Sequence, residues 1–427
     1  MSKSSQSLPR RIVVISQLFY PEMVSTGQTL TELIEALARR GLDITVIASQ
    51  PTVIPGSPKV ARRMEHAGIT ILRTWSTRLP KKSTMGKLLN LLTFFLSAIW
   101  EVLWHHRDAH LLLQSNPPFL PILGGLFHLL RGQTFGVMLA DIMPEQAELL
   151  HFIPPNGWIA RLWRRFNQFW FERSSYVVVF GDDMRTGALA NCNQLGRPSE
   201  ALAAERIVII PLWADLNSVQ PIAKSESSEA RRLGVVDSFV IQYSGNHGRF
   251  HDLETLVGLV HAFPPDDNIV FQFIGDGQKK RMVQELHDSG SLPHLYSSFY
   301  VPRELLPHSL GMADLGVVAQ LPGQERVCYP SKMLGLLAAG RAILAVCPPN
   351  CELARFVRDQ EIGFVVPNND LETGRRVILE ARDNPGRLRR MEANARRLAQ
   401  AMNLELTADT YAQLIRRFIQ PRSGTTR

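Results

Sequence analysis

The residues best equipped for chemistry lie in the second half of the chain. YSGNHGRFHDLETL sets Gly245, Asn246 and Gly248 in a turn after an apolar run, with Arg249 beside them, and FIGDGQKK repeats the device at Gly275 and Gly277. VCYPSKMLGLLAAG then brings Ser331 and Lys332 to the start of a helical pattern that closes at Gly340. Glycine turns at strand ends let backbone N–H groups approach an anion, and a serine–lysine pair adds donors and a point charge. Together they suit a departing diphosphate, whose growing negative charge fixed donors stabilise by about 3 kcal/mol each in comparable oxyanion sites. Any one of these turns is ordinary loop chemistry; their succession is the signal.

The first half offers FYPEMVSTGQT, with Gly27 directly before a helical pattern, where backbone donors and the helix dipole could meet a phosphate or a sugar. The G-x-G-x-x-G fingerprint is absent there, which argues against a dehydrogenase. Asp182–Asp183 opens a helix and Asp266–Asp267 falls in a turn, so both pairs read as structural and not as metal ligands. The 12 histidines show no metal-ligand spacing, although His247 and His251 flank the glycine turn and could contact its ligand. No metal or other cofactor is expected.

To position these groups the chain must build sheets. RIVVISQLF, an amphipathic TLTELIEALARRG and DITVIAS form a βαβ unit, and the rhythm continues through HLLLQSN, TFGVMLAD, YVVVF and RIVIIPL. After the polar PIAKSESSEARR a second series runs through FVIQYSG, NIVFQFIGDG, ADLGVVAQ, AILAVC and GFVVP. At 427 residues, two domains are the default. The expected division is 1–212, 213–404 and a C-terminal helix and tail over 405–427, the helix packing back on the first domain and RSGTTR fraying. Two open α/β sheets that face each other would bind ligand between the carboxyl ends of their strands.

The formal charge of +8 implies an anionic partner. From Lys59 to Asp108 nine basic residues stand against three acidic ones, so one face of the first half should be positive. LLNLLTFFLSAIWEVLW, interrupted by Asn90, Ser97 and Glu101, is barely long enough to span a bilayer and reads as a covering helix or one lying in a membrane interface. GWIARLWRRFNQFWFERS interleaves aromatic and basic residues, which suits the same interface or a core helix with a solvated basic face. No nucleic-acid module accompanies it. Four cysteines outside any Cys-x-x-Cys pattern, with a polar Met1–Arg10 segment and then a buried strand in place of a signal peptide, point to the cytoplasm.

FYPE, ADIMPE, FGDDMRTGAL, IIPLWAD, YSGNHGRFHDLETL, FIGDG, LPGQERVCYPSKMLGLLAAG and CELARFV, in that order, resemble the family-four glycosyltransferases, close to the colanic-acid-type and O-antigen-type enzymes of bacterial surface polysaccharide synthesis. The resemblance covers nearly the whole length. It implies a GT-B fold of two Rossmann-like domains. It also implies metal-independent transfer of a sugar, with retention, from a UDP- or GDP-sugar to a lipid-linked or glycan acceptor, at the inner face of a plasma membrane with anionic lipid. Gly27 would lie near the donor phosphate or reacting sugar. Arg249, Ser331 and Lys332 would meet the diphosphate, and Glu352 the ribose or sugar. Asp141 would stand near the accepting hydroxyl and Glu145 would orient acceptor or donor. Many members carry two glutamates with seven residues between them; here those positions are Val327 and Gly335, and Glu325 or Glu352 would assume part of their role. A sugar-nucleotide epimerase of the same fold and a non-catalytic membrane-associated scaffold are the alternatives.

Overall fold

A computed structural model describes residues 11–22, 26–51, 59–79, 84–193 and 205–419. The Met1–Arg10 segment, Lys81, Lys82 and the RSGTTR end lie outside the described residues. Two compact units emerge: Met1–Pro211 with Leu404–Arg427, and Leu212–Asn403.

The first unit is built on eight strands: β1 (Ile12–Ser16), β2 (Ile44–Ala48), β3 (Arg63–His66), β4 (Ile69–Arg73), β5 (His110–Gln114), β6 (Phe135–Met138), β7 (Tyr176–Val179) and β8 (Ile207–Ile209). Their order is β3-β4-β2-β1-β5-β6-β7-β8. All neighbours run parallel except the β3–β4 pair, which is antiparallel. The entirely parallel sheet expected from the apolar runs is therefore corrected at one edge. β3 alternates exposed and half-buried residues, the pattern of a strand with one wet face, and Gly68 takes the positive φ that its tight turn needs.

The helices of this unit are α1 (Thr26–Arg39), α2 (Thr84–His105), α3 (Leu120–Arg131), α4 (Glu145–Leu149), α5 (Trp158–Phe171) and α6 (Asp182–Asn193). The last helix of the chain, Leu404–Ile419, belongs here too and packs on α1. Arg40 binds Asp409 at 2.7 Å and Arg39 binds Glu405 at 3.0 Å. Phe418 stacks on His110 at 6.3 Å.

The second unit has six parallel strands in the order β11-β10-β9-β12-β13-β14. They are β9 (Phe239–Ser244), β10 (Ile269–Ile274), β11 (Leu295–Ser298), β12 (Leu315–Ala319), β13 (Ala342–Val346) and β14 (Gly363–Val366). Two buried layers sandwich this sheet: Leu315, Val317, Leu344 and Val346 pack one side, Val318, Ile343 and Ala345 the other. The covering helices are α7 (Ser228–Leu233), α8 (Leu253–His261), α9 (Lys280–Asp288), α10 (Leu306–Gly311), α11 (Lys332–Ala338), α12 (Glu352–Asp359), α13 (Leu371–Asp383) and α14 (Pro385–Ala401), with Leu404–Ile419 being α15.

Among the parallel strands of each sheet the order reverses once, between β1 and β5 and between β9 and β12. Connections leave such a point in opposite directions and open a crevice at the carboxyl ends of the two strands. Residues after β1, β5, β9 and β12, with those of the neighbouring strand ends, thereby border the crevice that each unit can offer to a ligand.

Candidate active site

In the second unit β9 ends at Ser244 and the chain turns through Gly245, φ +139°, while β10 ends at Ile274 and turns through Gly275, φ +135°, and Gly277, φ +146°. The two turns are in contact. Gly245 donates to Ile274 at 2.8 Å, and the His247 amide donates to the Asp276 carbonyl at 2.8 Å. A Cβ on Gly275 would sit 1.9 Å from the Gly245 carbonyl oxygen, and one on Gly277 would sit 2.5 Å from Asn246 Oδ1. Both glycines are required by that approach and by their φ angles.

Lys332 enters the same turn from the start of α11. Its ammonium donates to the Asn246 carbonyl at 3.0 Å and to the Tyr243 hydroxyl, and lies 4.3 Å from the centre of the Tyr243 ring. A Cβ on Gly245 would touch its Cε at 2.5 Å, so the glycine makes room for the lysine side chain. Among the described residues no carboxylate binds this ammonium, and burial lowers its pKa from the usual lysine range to about 7. Tyr243 is buried and held neutral by desolvation. Ser331 is exposed and its side chain makes no capping hydrogen bond. Arg249, four residues after Gly245, is exposed.

The two histidines of the turn differ from expectation. His247 is 0% exposed, with both ring nitrogens lacking a hydrogen-bond partner, and burial, then Lys280 and Lys332, push its pKa down to about 4. Its ring supports the turn from beneath and presents nothing to solvent. His251 bonds the Ala319 carbonyl at 3.1 Å through Nδ1, and burial takes its pKa to about 3. Neither imidazole adds charge, so among the described residues Lys332, Lys280, Arg249 and Lys279 are the cations near the turn, Lys279 donating to the His251 carbonyl at 2.7 Å and paired with Glu254 at 2.7 Å. The Lys280 ammonium is held by Ser297 Oγ at 2.8 Å and the Ser298 carbonyl at 2.7 Å, and burial lowers its pKa as well.

Glu325 sits in the Gln324–Arg326 turn between β12 and α11, one carboxylate oxygen buried without a hydrogen-bond partner. Glu352 begins α12, whose N-cap is the Cys351 thiol accepting from Ala354 N at 3.4 Å. Gly335 faces outward from α11, where an added Cβ would meet only Leu310 Cδ1 at 3.9 Å. Space for a larger side chain is present there. Among the described residues no three His, Cys, Asp or Glu side chains gather as a metal site.

In the first unit Gly27 lies buried in the first turn of α1, and a Cβ there would stand 2.9 Å from the Glu22 carbonyl. Thr31 Oγ1 donates to the Gly27 carbonyl at 2.8 Å and accepts from Tyr20 N at 3.2 Å, tying helix to loop. The loop is further fixed by Arg73, at the end of β4, whose guanidinium donates to Ser49 O at 2.5 Å and to Tyr20 O. Burial lowers its pKa to about 10, and Glu22 opposes that shift. Arg73 is one of the nine basic residues between Lys59 and Asp108, and its burial distinguishes it from an exposed cation.

Asp141 follows β6 beside β5. Its amide donates to Ser115 Oγ at 3.2 Å, while its carboxylate accepts from Gln146 Nε2 at 2.9 Å. Burial raises its pKa above the ordinary aspartate value, with Gln146 opposing. It lines a cavity with Ser115, Pro118, Met143, Asn167, Trp170 and Asn191. Glu145, four residues on, accepts from Arg164 Nε at 2.9 Å and from Asn191. Arg164 also binds Glu148 at 2.6 Å and is 3% exposed, so the Glu145 carboxylate is engaged in an internal ion-pair network.

Residues 26–213 match the family described as the glycosyl transferase 4-like domain. The probable glycosyltransferase WbjE of Pseudomonas aeruginosa is 24% identical over 375 residues, covering 84% of this chain and 86% of the relative. Among solved structures, sucrose-phosphate synthase of Thermosynechococcus elongatus superposes with a TM-score of 0.70 at 16% identity, over 96% of this chain and 98% of that one. WaaG, a glycosyltransferase involved in lipopolysaccharide biosynthesis, gives 0.65 at 14% identity over 95% and 99%. Anabaena HepE in complex with UDP-glucose gives 0.66 at 13% identity, also over 95% and 99%.

Proposed function

We propose that this chain, a glycosyltransferase of the family-four, GT-B type, moves a sugar with retention from a UDP- or GDP-sugar to a lipid-linked or glycan acceptor in cell-surface polysaccharide synthesis. The observation that carries this reading is the Lys332 ammonium, set against the Gly245–Asn246 turn without a carboxylate partner among the described residues. A cation left without a counter-ion beside paired glycine turns is suited to a diphosphate. That HepE is described with UDP and with UDP-glucose supports the choice of donor class.

In this reading Lys332 and Arg249, with the backbone donors of the two turns, take up the charge that grows on the leaving diphosphate, and no metal is needed. Gly275 and Gly277 keep the turns close, Ser331 faces the phosphates, and Glu325 and Glu352 meet the sugar or ribose. Asp141, its pKa raised by burial, serves the accepting hydroxyl, because a carboxylate closer to neutrality exchanges a proton more readily. The internal pairing of Glu145 makes it a support for the Asp141 loop. The work is placed at the cytoplasmic face of an anionic membrane.

The test is thermal stabilisation of the purified protein by UDP, GDP and their sugars, followed by a transfer assay on Lys332→Ala and Arg249→Ala. Stabilisation by one nucleotide class, lost in Lys332→Ala, is expected. Unchanged turnover in both variants removes the assignment, and turnover of donor to another nucleotide sugar without consumption of acceptor replaces transfer by epimerisation.

A further inference from the structure

Helix α2 carries two apolar stripes. Asn90, Phe94, Ala98 and Val102 are buried, whereas Leu88, Leu92, Leu96, Trp100 and Trp104 are 49–62% exposed. Positions two apart on a helix differ by about 200°, so the stripes occupy opposite faces. The inner one is fastened: Leu79 N donates to Asn90 Oδ1 at 2.9 Å and Asn90 Nδ2 donates to Leu79 O at 2.9 Å. A helix so held cannot cross a bilayer without leaving its unit. Its outer stripe, about 24 Å long at 1.5 Å per residue, is nevertheless more apolar than a wetted surface warrants.

The neighbouring helices continue the surface. Arg131 at the end of α3 donates to Leu103 O at 3.2 Å, and α3 packs on α5. Leu129 and Leu130 of α3 are 61% and 66% exposed, and Trp158 of α5 is 71% exposed. The one carboxylate on α2, α3 and α5 is Glu101, which His105 binds at 3.3 Å. Arg161 and Arg165 of α5 and Arg107 after α2 are exposed cations. A second copy of this face would bring cations against cations; an anionic bilayer offers both hydrocarbon and opposite charge.

We propose that the outer faces of α2, α3 and α5 form one insertion surface that docks the first unit on an anionic bilayer, with α2 lying in the interface plane and its leucines and tryptophans entering the acyl region. This rests on the membrane part of the proposed function and gives it a driving force, apolar insertion with charge as the guide. Flotation of the full chain with phosphatidylcholine vesicles containing and lacking phosphatidylglycerol, at 0.1 M and 1 M NaCl, tests it. The expected result is binding favoured by phosphatidylglycerol and largely retained at 1 M salt, where the Debye length falls from about 10 Å to about 3 Å. Leu96→Glu and Trp100→Glu should each weaken partition by about tenfold or more, a loss of about 1.4 kcal/mol, with UDP stabilisation unchanged. Brominated-acyl lipid should quench the wild-type tryptophans, and Trp100→Phe should reduce the quenching, a readout that needs no disruptive variant. Absence of wild-type binding, full release by salt, wild-type partition in both glutamate variants, or loss of a dimer in Leu96→Glu without any vesicle binding would each overturn the proposal. Retained UDP stabilisation in those cases leaves the transferase reading standing.

Discussion

If Lys332 receives a nucleotide diphosphate, binding must change its protonation. Burial sets its pKa near 7, and no carboxylate among the described residues compensates. At pH 8 roughly nine in ten free molecules then hold a neutral amine, by the Henderson relation implicit in one pKa unit per 1.36 kcal/mol. A bound diphosphate restores the charged form and lifts the pKa, so binding takes up a proton above pH 7. The sign follows: affinity is full below about pH 7 and is lost as pH rises, by about tenfold per unit until the pKa of the complex is reached. UDP's own phosphate ionises near pH 6, so the window from 7 to 9 isolates the lysine.

Calorimetric titration of UDP and GDP in two buffers of different ionisation enthalpy measures the uptake directly. The wild type should absorb between half a proton and one at pH 8, and Lys332→Met should absorb none while binding about 1.5–3 kcal/mol more weakly, the range for a hydrogen bond to a charged group. Lys332→Arg, charged throughout, should flatten the pH dependence. A wild-type affinity constant from pH 7 to 9, or uptake that persists in the methionine variant, would refute the argument, because either result means that the proton resides elsewhere.

Other perturbations test separate links. Gly275→Ala forces a Cβ against the Gly245 carbonyl at a φ of +135°, so the turn must open; a melting temperature lower by several degrees and a sharp loss of UDP binding are expected. Gly335→Ala enters open space on α11 and should stabilise by about 0.5–1 kcal/mol, read from denaturant midpoints, with Gly335→Glu equally well folded. Asp141→Asn keeps the Gln146 contact in shape but removes the proposed proton acceptor, so transfer should fall by about 10²–10⁴-fold with UDP stabilisation intact. Arg164→Ala leaves Glu145 and Glu148 without their partner and should cost about 3–5 kcal/mol of stability, measured by chemical denaturation.

What could be read in the sequence follows from where the information sits. Buried parallel strands such as IVVIS and YVVV are continuous apolar runs, and the helices between them repeat at the helical period, so the two sheets were legible in outline. β3, RMEH, has no such run, since one face is wet, and β11, LYSS, is a short edge strand half exposed; both escaped the reading. The glycine turns were legible because left-handed φ angles restrict residue type. Contacts across long separations were not. Tyr243 beneath Lys332 spans 89 positions, and Arg73 on the Tyr20 carbonyl spans 53. Nothing in one chain marks such a pair before it folds.

The same distinction governs the site. Type and spacing selected Lys332 as a charge, but its burial, and hence its lowered pKa, comes from the Gly245 turn folding over its stem. The resemblance set Asp141 near the accepting hydroxyl and Glu145 as an orienting neighbour, and the structure gives them different surroundings: Arg164 and Asn191 occupy the Glu145 carboxylate, while Asp141 accepts from Gln146 and has a raised pKa. Two acids four residues apart therefore differ in function through their partners, and a partner is a property of the fold. The chemistry most dependent on environment, the proton transfer proposed for Asp141 and the charge uptake proposed for Lys332, rests on burial and partners that residue type and spacing do not encode.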